Sequence, residues 1–225
     1  MLYIVSTPIG NLKDISERAL ETLRLVGSII AESPEDSIKL LNAYGIKGKG
    51  LFKYNDRNMR SASGKVEEIL KNGDVAYITS AGTPGISDPG QELVKIARSL
   101  DIEVRVVPGP SALVSAIAAS GIRARQFTFI SFPPKKPGQL RNLFKEFSEK
   151  KETLVFFEST HRILKTVEAI GEVSSGCELF VAKEMTKLFE NYFVGSPDEV
   201  LNKLKSNPKN IKGEFVVMAD FSHSK

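Results

Sequence analysis

Two spacings of apolar residues alternate along the first half of the chain. Short runs rich in β-branched and aromatic residues, at Leu2–Ser6, Ser28–Glu32, Leu51–Tyr54, Val75–Thr79 and Glu103–Val107, predict strands. Between the first two the spacing lengthens to that of a helix, with Ile15, Ala19, Leu20 and Leu23 on one face. Asp14 followed by Glu17 resembles a capping box at its start. Further helices are predicted at Ser37–Tyr44, stopped by Gly45, at Lys65–Lys71, stopped by Asn72-Gly73, and at Glu92–Leu100. Strands alternating with helices predict a largely parallel sheet covered on both faces.

A helical run, Ser111–Ala119, ends at Ser120-Gly121, and a second alternating set follows. It reads as strand Phe127–Phe132, a Pro/Lys/Gly loop over 133–138, helix Gln139–Lys150, strand Leu154–Glu158 and helix Ile163–Ile170. Strand Leu179–Lys183, helix Asp198–Lys205 and strand Glu214–Ala219 complete it. The expected fold is α/β, in two lobes covering residues 1–121 and 122–225. With 225 residues, 41% hydrophobic and 26% charged, the chain has ordinary globular composition, which excludes a disordered or collagen-like protein.

Charge changes the picture in the second half alone. Residues 1–121 hold 14 basic and 14 acidic side chains; residues 122–225 hold 17 and 13, so 17 − 13 supplies the whole +4. The excess gathers at Lys135, Lys136, Arg141 and Lys145, and at Lys203, Lys205, Lys209 and Lys212, clusters that suit a phosphate-rich partner or a plain solvated surface. Met1-Leu2-Tyr3-Ile4-Val5 enters strand sequence with no basic n-region, and the longest uncharged run, Val106–Ile122, is interrupted by Pro108 and Pro110. A cytoplasmic protein with no membrane contact is therefore expected. Cys177 stands alone, and His161 and His223 offer too little for a metal cluster, so no metal is expected.

Candidate chemistry lies in loops after predicted strands, where α/β folds bind ligands. Three stand out: Ser6-Thr7-Pro8-Ile9-Gly10-Asn11, the long stretch Thr79 to Gly90 (TSAGTPGISDPG), and Pro108-Gly109-Pro110-Ser111-Ala112. Small residues let a ligand approach the main chain. Neither a G-x-G-x-x-G turn after a strand nor a Walker A lysine is present, which disfavours a dinucleotide fold and a P-loop NTPase. In the second half Glu158-Ser159-Thr160-His161-Arg162, Lys183-Glu184-Met185-Thr186-Lys187 and Gly213-Glu214-Phe215 each place a carboxylate near a strand end.

Taken in order, Leu2–Val5, Thr7–Leu12, Ala81–Gly90, Pro108–Ala112, Glu158–Arg162, Glu184–Lys187 and Gly213–Val216 resemble the tetrapyrrole methylase superfamily. They are most similar to its branch that 2′-O-methylates a cytidine of small-subunit ribosomal RNA. The resemblance runs from residue 2 to about 219. It implies a class III methyltransferase, usually a homodimer, holding S-adenosylmethionine in a cleft between two α/β lobes. By position, Pro8, Ile9, Gly82, Thr83, Ile86, Ser111 and Ala112 would contact that cofactor, and Phe157, Ala182 and Phe215 would close its pocket. Glu184 and Lys183 are the candidates for the reacting hydroxyl.

Several positions depart from the family pattern. An Ala-Glu-Asp-Thr-Arg segment is replaced by Ala31-Glu32-Ser33-Pro34-Glu35-Asp36, Ser-Asp by Thr79-Ser80, a Tyr-His-Glu-type motif by Tyr54-Asn55-Asp56-Arg57-Asn58, and a proline by Thr160. The chain stops near residue 225, where many members carry a helical extension. These changes spare the cofactor loops and alter the edge expected to face RNA. Two other readings stay open: a diverged paralogue with another methyl acceptor, and a non-catalytic RNA- or ribosome-binding protein that has kept the fold.

Overall fold

A computed structural model describes residues 1–123 and 125–222, so His223 lies outside the described residues. The chain forms two compact units, Met1–Ser111 and Ala112–Lys225. The division falls ahead of the Gly121 expected from the sequence, because the helix Ala112–Ser120 packs on a strand of the second unit.

In the first unit the chain runs β1 (Leu2–Val5), α1 (Glu17–Leu25), β2 (Ser28–Ala31), α2 (Pro34–Ala43), β3 (Gly50–Lys53), α3 (Met59–Lys71), β4 (Val75–Ile78), α4 (Gln91–Ser99) and β5 (Val104–Val107). The five strands pair in parallel in the order β3-β2-β4-β1-β5, the sheet that alternation predicts. The central strands β1, β2 and β4 are buried on both sides, and the edge strands β3 and β5 only in part. Leu2, Ile4, Ile30 and Tyr77 pack against Val66, Ile69 and Leu70 of α3 and Leu93 and Ala97 of α4. On the opposite face Val5, Ile29, Ala31, Ala76 and Ile78 meet Ala19 and Leu23 of α1 and Leu41 of α2.

Helix α1 begins differently from expectation. Its N-cap is Ser16, whose hydroxyl accepts from the Ala19 N–H, while Asp14 belongs to a short 3-10 turn, Leu12–Asp14. Ser16 can accept from the N3 amide; Asp14 lies two residues too early for that geometry. A reciprocal capping box is formed by Ser196 and Glu199, at the start of the last described helix.

The second unit runs α5 (Ala112–Ser120), β6 (Phe127–Phe129), α6 (Pro137–Lys150), β7 (Thr153–Ser159), α7 (Ile163–Val173), β8 (Glu178–Lys183), β9 (Asn191–Gly195), α8 (Pro197–Lys205) and β10 (Glu214–Asp220). Its sheet, β6-β7-β10-β8-β9, is mixed: β6 and β7 are parallel and the remaining pairs antiparallel. Strand β9 went unread in the sequence. It is an edge strand with a single buried side chain, Phe193, so it carries little hydrophobic signal. One face of the sheet is covered by α6, α7 and α8 around Phe144, Phe156, Val167, Ile170, Phe215 and Val217. Helix α5 packs on β10.

Phe144 is fully buried, its ring 6.0 Å from that of Phe156. Replacing it with Ala removes most of an aromatic side chain from a site with no solvent to refill it. The expected loss is about 3–5 kcal/mol of unfolding free energy. A urea titration should show it as a lower midpoint at unchanged slope.

Candidate functional site

The sheet order of the first unit is what assembles a site. Strands β4, β1 and β5 are far apart in sequence and adjacent in space, so the loops leaving their carboxyl ends meet. Main-chain bonds join the first two: Thr7 N–H donates to the Gly82 carbonyl at 2.9 Å and Gly82 N–H to the Thr7 carbonyl at 3.1 Å. Side chains join all three. Thr83 Oγ1 donates to the Pro110 carbonyl at 3.1 Å and lies 2.9 Å from Ser6 Oγ. With its proton committed to Pro110, Thr83 accepts from Ser6, giving a relay from β1 through the long loop to the loop after β5.

Close approach sets the glycines. A Cβ on Gly109 would lie 3.0 Å from Ser6 Cβ, and one on Gly90 would lie 2.8 Å from Tyr77 Cε1. Gly90 also has φ +148°, a conformation L side chains rarely adopt. The Tyr77 hydroxyl donates to the Pro89 carbonyl at 2.7 Å, which anchors the far end of the same loop. Burial pushes the Tyr77 hydroxyl far above the ordinary tyrosine range, so it remains a donor.

Of the residues singled out by the resemblance, Pro8, Ile9, Gly82 and Thr83 lie in the stitched loops, with Ile9 Cγ2 3.3 Å from where a Gly82 Cβ would be. Ile86 is half-buried farther along the long loop, and half-buried Ser111 and Ala112 follow Pro110. Ser6, which starts the relay, was not singled out, although it stands in the first loop.

Beside these loops, at the ends of β2, β3 and β4, a polar pocket of about 310 Å³ is lined by Glu32, Ser33, Lys53, Asn55, Asp56, Arg57, Ser80 and Pro89. Two departures from the family pattern gain a local reason here. Ser80 offers both its N–H and its hydroxyl to Glu32 Oε2, at 3.1 and 3.0 Å, where an aspartate would repel that carboxylate. Ser33 caps α2, whose first turn carries Pro34, Glu35 and Asp36, acids that suit a helix N-terminus. Burial, reinforced by Glu32 and Asp56, pushes the Asp88 carboxyl up to about 6.

In the second unit three motifs interlock. Thr160 Oγ1 donates to the Gly213 carbonyl at 2.8 Å and accepts from the Gly213 N–H at 2.9 Å, so the residue replacing a proline ties β7 to the start of β10. Glu184 Oε1 accepts from the Glu214 N–H at 2.9 Å and from Lys187 Nζ at 3.1 Å; Lys187 also reaches Glu214 Oε2 at 2.7 Å. Gly213, at φ +123°, leaves room for this, since a Cβ there would sit 2.5 Å from Glu184 Cγ. Burial raises the Glu184 carboxyl, but the Glu214 amide and Lys187 outweigh it and hold the pKa below its ordinary value. Lys183 is buried and donates to the Phe189 carbonyl at 3.1 Å. Both candidates for the reacting hydroxyl are thus bonded into the turn after β8, in which Glu184 and Thr186 have positive φ. His161 is exposed, and no hydrogen bond among the described residues joins it to Glu184.

Phe157 and Ala182 share one face of the second sheet, each opposite Val216. The Phe215 side chain points the other way, into the helix-covered core. Alternation along β10 separates them: adjacent residues of a strand face opposite sides. No group of three His, Cys, Asp or Glu residues suited to a metal occurs among the described residues, and no described helix is long and apolar enough to cross a membrane.

S-adenosylmethionine is a sulfonium cation with an amino-acid tail and an adenosine. The three stitched loops contain neither Lys nor Arg, offer main-chain carbonyls and hydroxyls, and leave glycine-sized clearances at Gly82 and Gly109. Asp88 and Glu32 add negative charge nearby. This donor set fits the cation and its polar groups.

The class follows from sheet, loops and sequence together: residues 1–201 match the profile of the Tetrapyrrole (Corrin/Porphyrin) Methylases, and the chain belongs to that family. Within it the similarity narrows. The chain is 43% identical over 218 residues to Ribosomal RNA small subunit methyltransferase I of Thermotoga maritima, covering 96% of each chain. It is 42% identical over 223 residues to the protein of the same name from Haemophilus influenzae, covering 98% of this chain and 78% of the relative. Among solved structures it is similar in fold to the cobalt precorrin-4 methyltransferase CbiF, with a TM-score of 0.70, 16% identity and coverage of 100% of this chain and 96% of that one. The methyltransferase CobJ gives a TM-score of 0.68 at 17% identity, over 97% of this chain and 93% of that one.

The raised Asp88 carboxyl makes stability depend on pH. In the folded chain it holds its proton up to about 6, whereas an unfolded aspartate loses it near 3.9. Between these values the native state binds more protons, so this group removes stability as pH rises from about 4 to 6. Asp88→Asn should therefore raise the melting temperature at pH 7 and leave it unchanged near pH 3.5. Equal melting temperatures at pH 7 would contradict this.

Proposed function

We propose that this protein is an S-adenosylmethionine-dependent methyltransferase that 2′-O-methylates a cytidine in small-subunit ribosomal RNA, acting in the cytoplasm as a homodimer. The observation that carries the reading is the 43% identity to a small-subunit rRNA methyltransferase along 96% of the chain. The hydrogen-bonded, Lys- and Arg-free loops after β1, β4 and β5 support the choice of donor.

When bound, the donor would supply an electrophilic methyl group on sulfur; its transfer to a ribose 2′-hydroxyl would form the O–CH3 bond, leave the sulfur as a neutral thioether and release the hydroxyl proton. What the chain contributes is position and field. The Ser6–Thr83–Pro110 relay fixes the loops before any ligand arrives, so little ordering is left to binding. Pro8, Ile9, Gly82, Thr83, Ile86, Ser111 and Ala112 are assigned to the donor. At this end of the sheet the carboxyl groups of Glu32, Asp56 and Asp88 stand beside Lys53 and Arg57, so the acids outnumber the bases by one, a balance that tolerates a cation. Glu184 and Lys183 are assigned as positioning residues. Glu184, ionised at neutral pH, holds Lys187 and the Glu214 amide, and Lys183 holds the Phe189 carbonyl.

The direct test incubates the protein with methyl-labelled S-adenosylmethionine and small ribosomal subunits lacking ribose methylation. Label mapped by mass spectrometry to a 2′-O-methylcytidine is the expected result; cofactor binding without label would indicate another acceptor. Thr83→Val breaks the relay at both bonds. It should weaken S-adenosylmethionine binding about tenfold by calorimetry, the worth of one or two hydrogen bonds.

Glu184→Gln keeps the shape and removes the charge that holds Lys187. It should lower kcat about tenfold or more, with little change in KM for the donor. Because the carboxyl lies below its ordinary pKa, the wild-type rate should show no inflection from it between pH 6 and 9. A variant with full turnover would remove Glu184 from the mechanism.

A further inference from the structure

The basic cluster of residues 135–145 divides in the structure, and its unpaired part sits beside an exposed aromatic ring. Arg141 is paired with Glu172 at 2.6 Å, and Lys145 approaches Glu149 at 3.8 Å. Lys135 and Lys136 are exposed and, among the described residues, take part in no ion pair. They follow Phe132, which leaves 58% of its surface exposed. Its ring meets Phe157 edge-on, centroids 5.8 Å apart, and Phe157 rests in turn on Phe129 at 5.1 Å.

This loop is held rather than draped. Arg162 donates from Nη1 to the Pro133 carbonyl at 3.1 Å and from Nη2 to the Pro134 carbonyl at 2.7 Å. Arg162 itself is oriented by Glu158 at 3.6 Å, whose side chain is fully buried. That carboxylate accepts from the Ser159 N–H at 2.8 Å and the Thr166 hydroxyl at 2.7 Å. Ser131 turns the chain at φ +59°, and its carbonyl accepts from the Phe157 N–H. A buried carboxylate, an arginine fork and two prolines thus hold a ring and two free ammonium groups at the surface. One side of the ring packs on Phe157, and its open side lies next to the two ammonium groups, where a flat apolar group can stack.

We propose that Phe132, Lys135 and Lys136 form a docking site for single-stranded RNA. The open face of Phe132 stacks one unpaired base, and the two lysines take neighbouring phosphates. Charge complementarity selects the occupant: a single strand carries a flat base for every phosphate and so satisfies both the ring and the ammonium groups, whereas in an acidic peptide no aromatic group accompanies each charge. The proposal rests on the rRNA reading above, for which it names the surface that meets the unpaired strand.

The test uses the full-length protein and a labelled single-stranded RNA dodecamer, with a duplex of the same sequence as comparison. Binding is measured across salt concentrations, beside S-adenosylmethionine calorimetry and methyl transfer to small subunits. The double variant Lys135→Gln, Lys136→Gln should weaken single-strand binding and lower the salt slope by about 1.4, two phosphates at roughly 0.7 each. Phe132→Ala should weaken it about tenfold at unchanged salt slope, with affinity restored by Phe132→Trp. Donor binding should be unchanged in the lysine double variant; for the Phe132 variants it is read beside RNA affinity, because Phe132 packs on Phe157. Wild-type affinity and slope in these variants would overturn the proposal, as would equal losses on duplex and single strand. If the wild type binds the single strand and the variants do not, yet no methyl transfer occurs, the docking site stands and the methyltransferase reading falls.

Discussion

The pairing of β1 between β4 and β5 is the constraint on which the proposed donor site depends. Because all three strands are parallel, their carboxyl ends lie together, and loops from residues 6, 82 and 109 come within hydrogen-bonding reach. In this parallel sheet, covered on both faces, a one-residue slip of β1 would exchange Leu2 and Ile4 with Tyr3 and Val5 and break the packing of both cores. The register Ile4 to Tyr77 and Val106 therefore also fixes where Thr83 meets Ser6 and Pro110. Ser6 continues directly from β1, and Thr83 and Pro110 lie five and three residues beyond β4 and β5, so the strands held by the core bring the three residues close.

The second unit reaches rigidity by other means. Its motifs are tied through polar contacts that cross between strands and turns: Thr160 to Gly213, Glu184 to the Glu214 amide, and Arg162 to Pro133 and Pro134. Glu158 makes the costliest of these commitments, a carboxylate withdrawn from water and repaid by an amide, a hydroxyl and a guanidinium. Such networks fix direction more than they add stability, which suits a surface that must present particular groups. The same logic explains the departures from the family pattern. Thr160 supplies both a donor and an acceptor where a proline ring supplies neither, and Ser80 supplies two donors to Glu32 where an acid would supply repulsion.

Much of this was legible in the sequence. The five strands of the first unit, their covering helices and the three loops after β1, β4 and β5 follow from period and from turn residues, because strands rich in β-branched residues alternate with helix-spaced runs and Gly/Pro turns. The edge strand β9 left no such signal, since one buried Phe193 among exposed neighbours looks like loop. Capping was half legible: Ser16 rather than Asp14 starts α1, a choice made by φ and ψ and not by residue type alone. Phe215 was grouped with Phe157 and Ala182 by motif, and the pleat sends its side chain to the opposite face.

By itself the sequence determined the α/β class, the family and the chemical character of the loops, because those reside in local periodicity and in residue types at fixed spacing. Sheet order and packing put β1 between β4 and β5, let Thr83 relay Ser6 to Pro110, and leave Lys135 and Lys136 without an ion pair among the described residues while Arg141 has one. Each of these joins groups far apart along the chain. Their distances are set by sheet order and side-chain packing, which depend on the sum of all contacts, and no local spacing encodes them.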